Sequence, residues 1–241
     1  MPTDAHQDAP PTARDARQSI AATLDRLQRV RDAIYTSGVM RGASGALRPV
    51  WPAGLTRDRG EFLRDAATSI DASSIIETGL GLAMSSSYLL EAALRSSQSA
   101  QARLTSIDPG ETSVCDDAGL LHLHDAGLTP FHRFFPEPSQ RVLPLLAQSG
   151  ESFDLAFLDG DHRFDGAFVD AYYALQAVRP CGLIILDDVW MPSVMKVSRF
   201  LTSNGLCELA SEHASGGKPR LHVLRPLATH VARAWDHFLE F

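Results

Sequence analysis

Two rhythms of apolar positions run along the chain. Ile20, Leu24, Leu27, Val30 and Ile34 recur at helical spacing among Asp, Arg and Gln, which predicts an amphipathic helix over residues 16–36. A Gly/Pro-rich connector follows over 42–54, then a second helix over 56–69 with Thr56 as its cap. From residue 74 the rhythm changes. Short apolar runs at 74–78, 104–107, 131–135, 155–158 and 183–186 read as strands. Between and after them, 83–97, 112–126, 140–148, 164–178 and 193–204 read as helices. Residues 206–210 and 220–224 flank the loop SEHASGGKP and read as a closing antiparallel hairpin, with a tail helix from Leu227. No internal repeat is visible.

Strand–helix alternation with short connections predicts an α/β, doubly wound, Rossmann-like and mostly parallel seven-stranded sheet. The helical N-terminal extension has no obvious place in that sheet's layers. Three regions are expected: a polar, proline-containing disordered tail over 1–15, an N-terminal helical segment over 16–70, and a ligand-binding domain over 71–241. Composition narrows the class. The 241 residues are 44% hydrophobic and 21% charged, the balance of a soluble globular protein. A net charge of −7, with Lys196 and Lys218 the only lysines, argues against a nucleic-acid surface. No apolar run reaches the ~20 residues of a membrane span, and no signal-peptide apolar segment is visible. Cys115, Cys181 and Cys207 form no CxxC pair, so neither a disulfide framework nor a cysteine zinc site is indicated, and a cytoplasmic setting is expected.

Open α/β sheets bind ligands beyond the carboxyl ends of their strands, which makes strand ends the places to look for chemistry. The first strand runs into IIETGLGLAMSSSYLL, where Gly79 and Gly81 permit a tight turn before a helix N-terminus. Counting GxGxxG from Gly79 puts Met84 at the third glycine, so a dinucleotide fingerprint fits poorly. Glu77 precedes the first glycine and suits a ligand with an ammonium group. Asp108 closes the next strand, where a carboxylate can take two ribose hydroxyls. The stretch FDLAFLDGDHRFD ends a strand in Asp159, Asp161 and His162, and GLIILDDVWMPS ends the neighbouring one in Asp187 and Asp188. Three acids on one sheet edge repel, and a hard cation such as Mg²⁺, Mn²⁺ or Ca²⁺ relieves that. The alternative for each acid is a helix cap: Asp165 for the helix it opens, Asp188 for the helix after Pro192. His162, with an ordinary pKa near 6.5, is a candidate base or an orienting group for Asp161, and Asp161 is the rival base. His122 and His124, two apart on a predicted helix, are expected at the surface. Trp190 and Met191 are candidates for an apolar wall, and Trp51 for packing.

These motifs together resemble the class I S-adenosylmethionine (SAM)-dependent methyltransferases over about residues 54–205. Glu77-x-Gly79-x-x-x-Ala83-Met84-Ser85 is similar to the E-x-G-x-x-x-G-Y-S turn of catechol- and caffeoyl-CoA-type O-methyltransferases, departing from it at Ala83 and Met84. The resemblance implies that Glu77 faces the methionyl amine, Ser85 the carboxylate and Asp108 the ribose. It implies that Glu137 or Ser139 meets the adenine, and that Asp159, Asp187 and Asp188 hold a divalent metal beside the cofactor. Metal-dependent macrolide- and aminocoumarin-sugar enzymes share this acidic pattern. Where the catechol-type enzymes use a Lys base, this chain has His162. The implied activity is metal-assisted methyl transfer from SAM to a hydroxyl of a small molecule. The alternatives are a metal-independent N- or O-methyltransferase, a silent nucleotide-binding partner subunit, and a nicotinamide oxidoreductase. The N-terminal helix is expected to cover the acceptor side or to pack against a second subunit in a homodimer.

Overall fold

The computed structural model describes residues 13–52, 54–227 and 234–241. The tail expected over 1–15 falls outside these up to residue 12, and residues 13–15 already belong to a helix. The chain begins with α1 (Ala13–Ser37), a small hairpin of β1 (Val39–Arg41) and β2 (Leu47–Pro49), and α2 (Arg57–Ser69). The alternating part follows: β3 (Ser74–Thr78), α3 (Met84–Arg95), β4 (Arg103–Ile107), α4 (Glu111–Cys115), α5 (Ala118–Asp125), β5 (His132–Phe135) and α6 (Ser139–Ser149). It continues with β6 (Phe153–Leu158), α7 (Phe164–Ala177), β7 (Val178–Leu186) and α8 (Pro192–Ser203), and closes with β8 (Cys207–Ser215) and β9 (Lys218–Pro226). Part of the tail helix expected from Leu227 lies outside the described residues, at 228–233, and 234–241 contain only a turn.

The seven-stranded sheet has the order β5-β4-β3-β6-β7-β9-β8. The first five strands are parallel, and β9 joins β7 and β8 antiparallel. The order reverses at β3, so a crevice opens beyond the carboxyl ends of β3 and its neighbours. Successive strand residues serve opposite cores. Ile75, Leu155, Leu183 and Ile185 face the layer that holds α2 and α3, while Ile76, Ala156, Ile184 and Leu186 face the layer of α6, α7 and α8. Burial on both faces explains why these strands read as unbroken apolar runs.

Four expectations need correction. The connector over 42–54 contains β2 and is preceded by β1; with only three residues each, these strands are too short to show a period. The helix expected over 112–126 is two helices, because Asp116 and Asp117 both take left-handed backbone conformations (φ 57° and 54°). The hairpin strands extend to nine residues each and consume most of SEHASGGKP, leaving Gly216 and Gly217 as the turn. Finally, the apolar stripe of α1 is used within the chain. Leu27 is fully buried, and Arg31 pairs with Glu91 of α3 at 2.6 Å while its guanidinium lies 3.9 Å from the Tyr88 ring centroid. The stripe therefore gives no argument for a second subunit.

Candidate active site

The β3–α3 turn forms one side of the crevice. Gly79 has φ 83°, and a Cβ there would meet the Asp159 carbonyl oxygen at 2.3 Å, so both the conformation and the close approach require glycine. Gly81 has φ 53°. Asp108 fastens this turn: its Oδ2 accepts the N–H groups of Leu80 and Gly81, both at 3.0 Å, and its Oδ1 accepts that of Gly110 at 2.7 Å. Its carboxylate lines the cleft beside the turn it holds.

Glu77, expected to face a methionyl amine, lies at the end of β3, just ahead of the turn. It is fully buried beneath the turn and does not line the cleft. Ser86 and Ser106 donate to its Oε1 at 2.5 and 2.6 Å, and Ser85 to its Oε2 at 3.3 Å. Burial pushes its pKa up to about 7, against the pull of those three hydroxyls. The carboxylate props the floor of the turn, while Ser85 itself reaches the cleft.

The acids at the ends of β6 and β7 do converge. His162 Nε2 stands 3.3 Å from Asp159 Oδ1 and 3.4 Å from Asp188 Oδ2. It is buried yet makes a well-directed hydrogen bond to neither. Donor atoms of Asp159, His162 and Asp188 lie within 4.8 Å of one another. Asp187, the third acid of the expected trio, lines the same cleft but is engaged by its neighbours. Its Oδ1 accepts the Asp188 N–H at 2.6 Å and an Arg59 N–H at 3.3 Å. Arg59 also approaches Asp188 at 3.9 Å, and Trp190 Nε1 donates to Asp188 Oδ1 at 2.8 Å. Burial raises the carboxyl pKa of both Asp159 and Asp187. For Asp159 the pull of His162 works the other way; for Asp187, Asp159 adds to the rise and Arg59 opposes it. The interaction with Asp159 holds the His162 imidazole above its usual pKa, in spite of desolvation.

Asp161 is held by Arg163, which donates from its backbone N–H at 2.9 Å and from its guanidinium. That hydrogen bonding lowers the carboxyl's pKa and makes Asp161 the poorer base. Neither capping expectation survives: Arg163 is the N-cap of α7 with Asp165 inside its first turn, and Met191 is the N-cap of α8. Asp188 instead adopts φ 52°, a strained conformation for a non-glycine residue at the mouth of the site.

Around these groups lies a cleft of about 1270 Å³. A single drug-sized ligand site measures roughly 300–1,000 Å³, so there is room for two molecules. Ser139 lines it, whereas the Glu137 carboxylate pairs with Arg141 at 3.4 Å on the exposed face of α6. Trp190 lines it as expected; Trp51, expected in packing, is 43% exposed and lines it too. Met191, partly buried, packs against the core beside α8. His122, expected at the surface, is buried with Nδ1 3.0 Å from the Leu82 carbonyl oxygen, and burial pushes its pKa down to about 4. His124 is exposed. The sequence reading missed Arg59 and Arg220, which come from α2 and β9, outside every strand-end motif.

Residues 76–189 match the family model described as a methyltransferase domain. Among curated proteins no match was found. Among solved structures, the chain is similar to an O-methyltransferase from Bacillus cereus in complex with SAH (TM-score 0.62, 16% identity, 85% of this chain and 90% of that one). It is also similar to the O-methyltransferase TomG of Streptomyces achromogenes, involved in tomaymycin synthesis and in complex with SAM (TM-score 0.61, 18% identity, 83% and 87% covered). An SAH-bound methyltransferase of Podospora anserina matches with TM-score 0.61 at 14% identity, over 91% of this chain and 99% of that one. At these identities the likeness is one of fold.

Proposed function

We propose that this chain is a class I methyltransferase that transfers the methyl group of SAM to a hydroxyl of a small molecule. The observation that carries the reading is the Asp159–His162–Asp188 cluster opening onto the same cleft as the glycine turn fastened by Asp108. The SAM-bound and SAH-bound O-methyltransferases of the same fold support it.

SAM occupies the β3–α3 side. Gly79 and Gly81 let its methionyl part approach the backbone, Ser85 turns its hydroxyl from Glu77 to the SAM carboxylate, Asp108 meets the ribose and Ser139 lies on the adenine side. The acceptor hydroxyl lies against His162. The imidazole takes the hydroxyl proton as the oxygen attacks the sulfonium methyl; the O–C bond forms, the C–S bond breaks, and neutral SAH leaves. Asp159 and Asp188 stabilise the imidazolium that results. Trp51 and Trp190 wall the acceptor so that oxygen, methyl and sulfur can align, which is the main catalytic contribution in such a reaction.

The donor set also fits a divalent cation, because His162 Nε2 is a buried nitrogen left without a directed partner between two carboxylate oxygens. Asp159, Asp188 and His162 would hold it, and it would lower the pKa of the acceptor hydroxyl. Imidazole among the donors favours Mn²⁺ or Fe²⁺ more than an all-oxygen site would. An imidazole bound to a metal cannot also take the proton, so the two roles of His162 exclude each other. The test is SAH release from SAM with a panel of hydroxylated small molecules, in excess EDTA and with added Mg²⁺ or Mn²⁺. Acceptor-dependent SAH release supports the reading. Loss of turnover in EDTA, restored by metal, assigns His162 to the metal; undiminished turnover assigns it to the proton. A silent nucleotide-binding subunit would bind SAM and turn over nothing.

A further inference from the structure

Three arginines line the cleft: Arg59, Arg163 and Arg220. Arg59 is matched by Asp187 at 3.3 Å and Arg163 by Asp161 at 2.5 Å. Among the described residues Arg220 has no carboxylate within ion-pair distance, although it is half-buried and faces the cavity. Its position is fixed by the sheet. The register of β7 and β9 pairs Leu186 with His222, and the Arg220 carbonyl accepts the Val189 N–H at 3.2 Å, which sets Arg220 beside the Asp188 end of β7. Its guanidinium lies 5.6 Å from the Trp190 ring centroid, and Lys218 Nζ lies 5.4 Å from it. The same indole donates its N–H to Asp188. The indole thus stands next to both, with Asp188 at its N–H edge and the two cations near its ring.

We propose, resting on the methyl-transfer reading above, that the acceptor is a flat hydroxylated molecule carrying a carboxylate or phosphate, and that Arg220 receives this anionic group. A guanidinium facing a cavity is matched best by a group that accepts two parallel hydrogen bonds, which carboxylates and phosphates do. The polarity of the cleft then orients the molecule. Asp159 and Asp188 repel the anionic end, while Arg220 attracts it. The far end is left to present its hydroxyl to His162. Trp51 and Trp190 line the same cleft and offer it the apolar surface that suits a ring. Arg220 is on this account a specificity-determining residue.

The experiment compares binding of matched probes to the SAH-loaded protein by calorimetry. The pairs are 3,4-dihydroxybenzoate against its methyl ester, and 3,4-dihydroxybenzyl phosphate against the corresponding alcohol. The wild type should bind at least one acid more tightly than its neutral partner, by about tenfold or more, the scale of a hydrogen bond to a charged group. Whichever acid shows the preference identifies the group. Arg220→Gln should erase most of that preference, and Arg220→Lys should keep part of it, which guards against a fold defect in the first variant. Equal binding of acids and neutral partners to the wild type, or an unchanged preference in Arg220→Gln, overturns the proposal. A wild type that prefers the acids yet transfers no methyl group defeats the methyl-transfer reading and leaves Arg220 as an anion seat for a ligand that is not an acceptor. A wild type that methylates acids and neutral partners alike does the reverse.

Discussion

Glu77 is a strand-end acid held beneath its turn by side-chain hydroxyls. It is buried under three serine hydroxyls with a pKa of about 7, against an ordinary 4.5. Between those values the folded state binds more protons than the unfolded one, so this group's contribution to stability falls as pH rises from 4.5 to 7. Burial gives Glu111 the same direction, at about 7. His122 and His132, pushed down to about 4, act oppositely: their contribution rises with pH from 4 to 6.5. Glu77→Gln should remove one falling term, so urea denaturation should find the variant more handicapped at pH 5 than at pH 8, by up to about 3 kcal/mol. At the acid cluster, Asp159→Asn should lower Mn²⁺ affinity far more than SAM affinity, both read by calorimetry. His162→Ala should lower turnover by ~10²–10⁴ if the imidazole takes the proton, with SAM affinity kept. The acids and His162 were legible because strand ends are where this fold keeps its chemistry. Arg59 was not legible: it reaches Asp187 across 128 positions of sequence from an otherwise unremarked helix face.

Among the elements, α1 docks through its apolar stripe and through a buried ion pair. Arg31 is 2% exposed and has Glu91 as its carboxylate partner, with Nε and Nη1 otherwise unpartnered. Arg31→Ala leaves the Glu91 carboxylate buried without its closest partner and should cost about 3–5 kcal/mol in denaturant unfolding. Arg31→Met combined with Glu91→Leu removes both charges and should cost clearly less. The β3–α3 turn gives a sharper test. Gly79→Ala needs a strained φ and drives a methyl against the Asp159 carbonyl, so it should weaken SAM binding and lower the melting temperature together. The parallel strands were readable since burial on both faces writes them as apolar runs. Elements outside that regime were not. β1 and β2 offer three residues each, β8 is exposed along nearly its whole length, and the break between α4 and α5 rests on two aspartates whose left-handed geometry leaves no mark on the apolar period.

At the scale of the whole molecule, the sheet order puts the carboxyl ends of β3, β4, β6 and β7 around one crevice, and the segments on either side of the central domain finish its walls. Trp51 and Arg59 come from before β3, and Arg220 from the closing hairpin. These parts had the weakest sequence pattern, which is why the cofactor side was legible and the acceptor side was not. Among the described residues no helix is long and apolar enough to cross a membrane. The central claim is that the β3–α3 side of this crevice is a seat for SAM. Calorimetric titration of SAM and SAH into the wild type, with Gly79→Ala alongside, tests it most directly. The account predicts saturable one-site binding of both ligands, weakened in the variant, and a wild-type stabilisation of roughly 2.7 kcal/mol at ~100 times Kd. A well-folded wild type that takes up neither SAM nor SAH would contradict it.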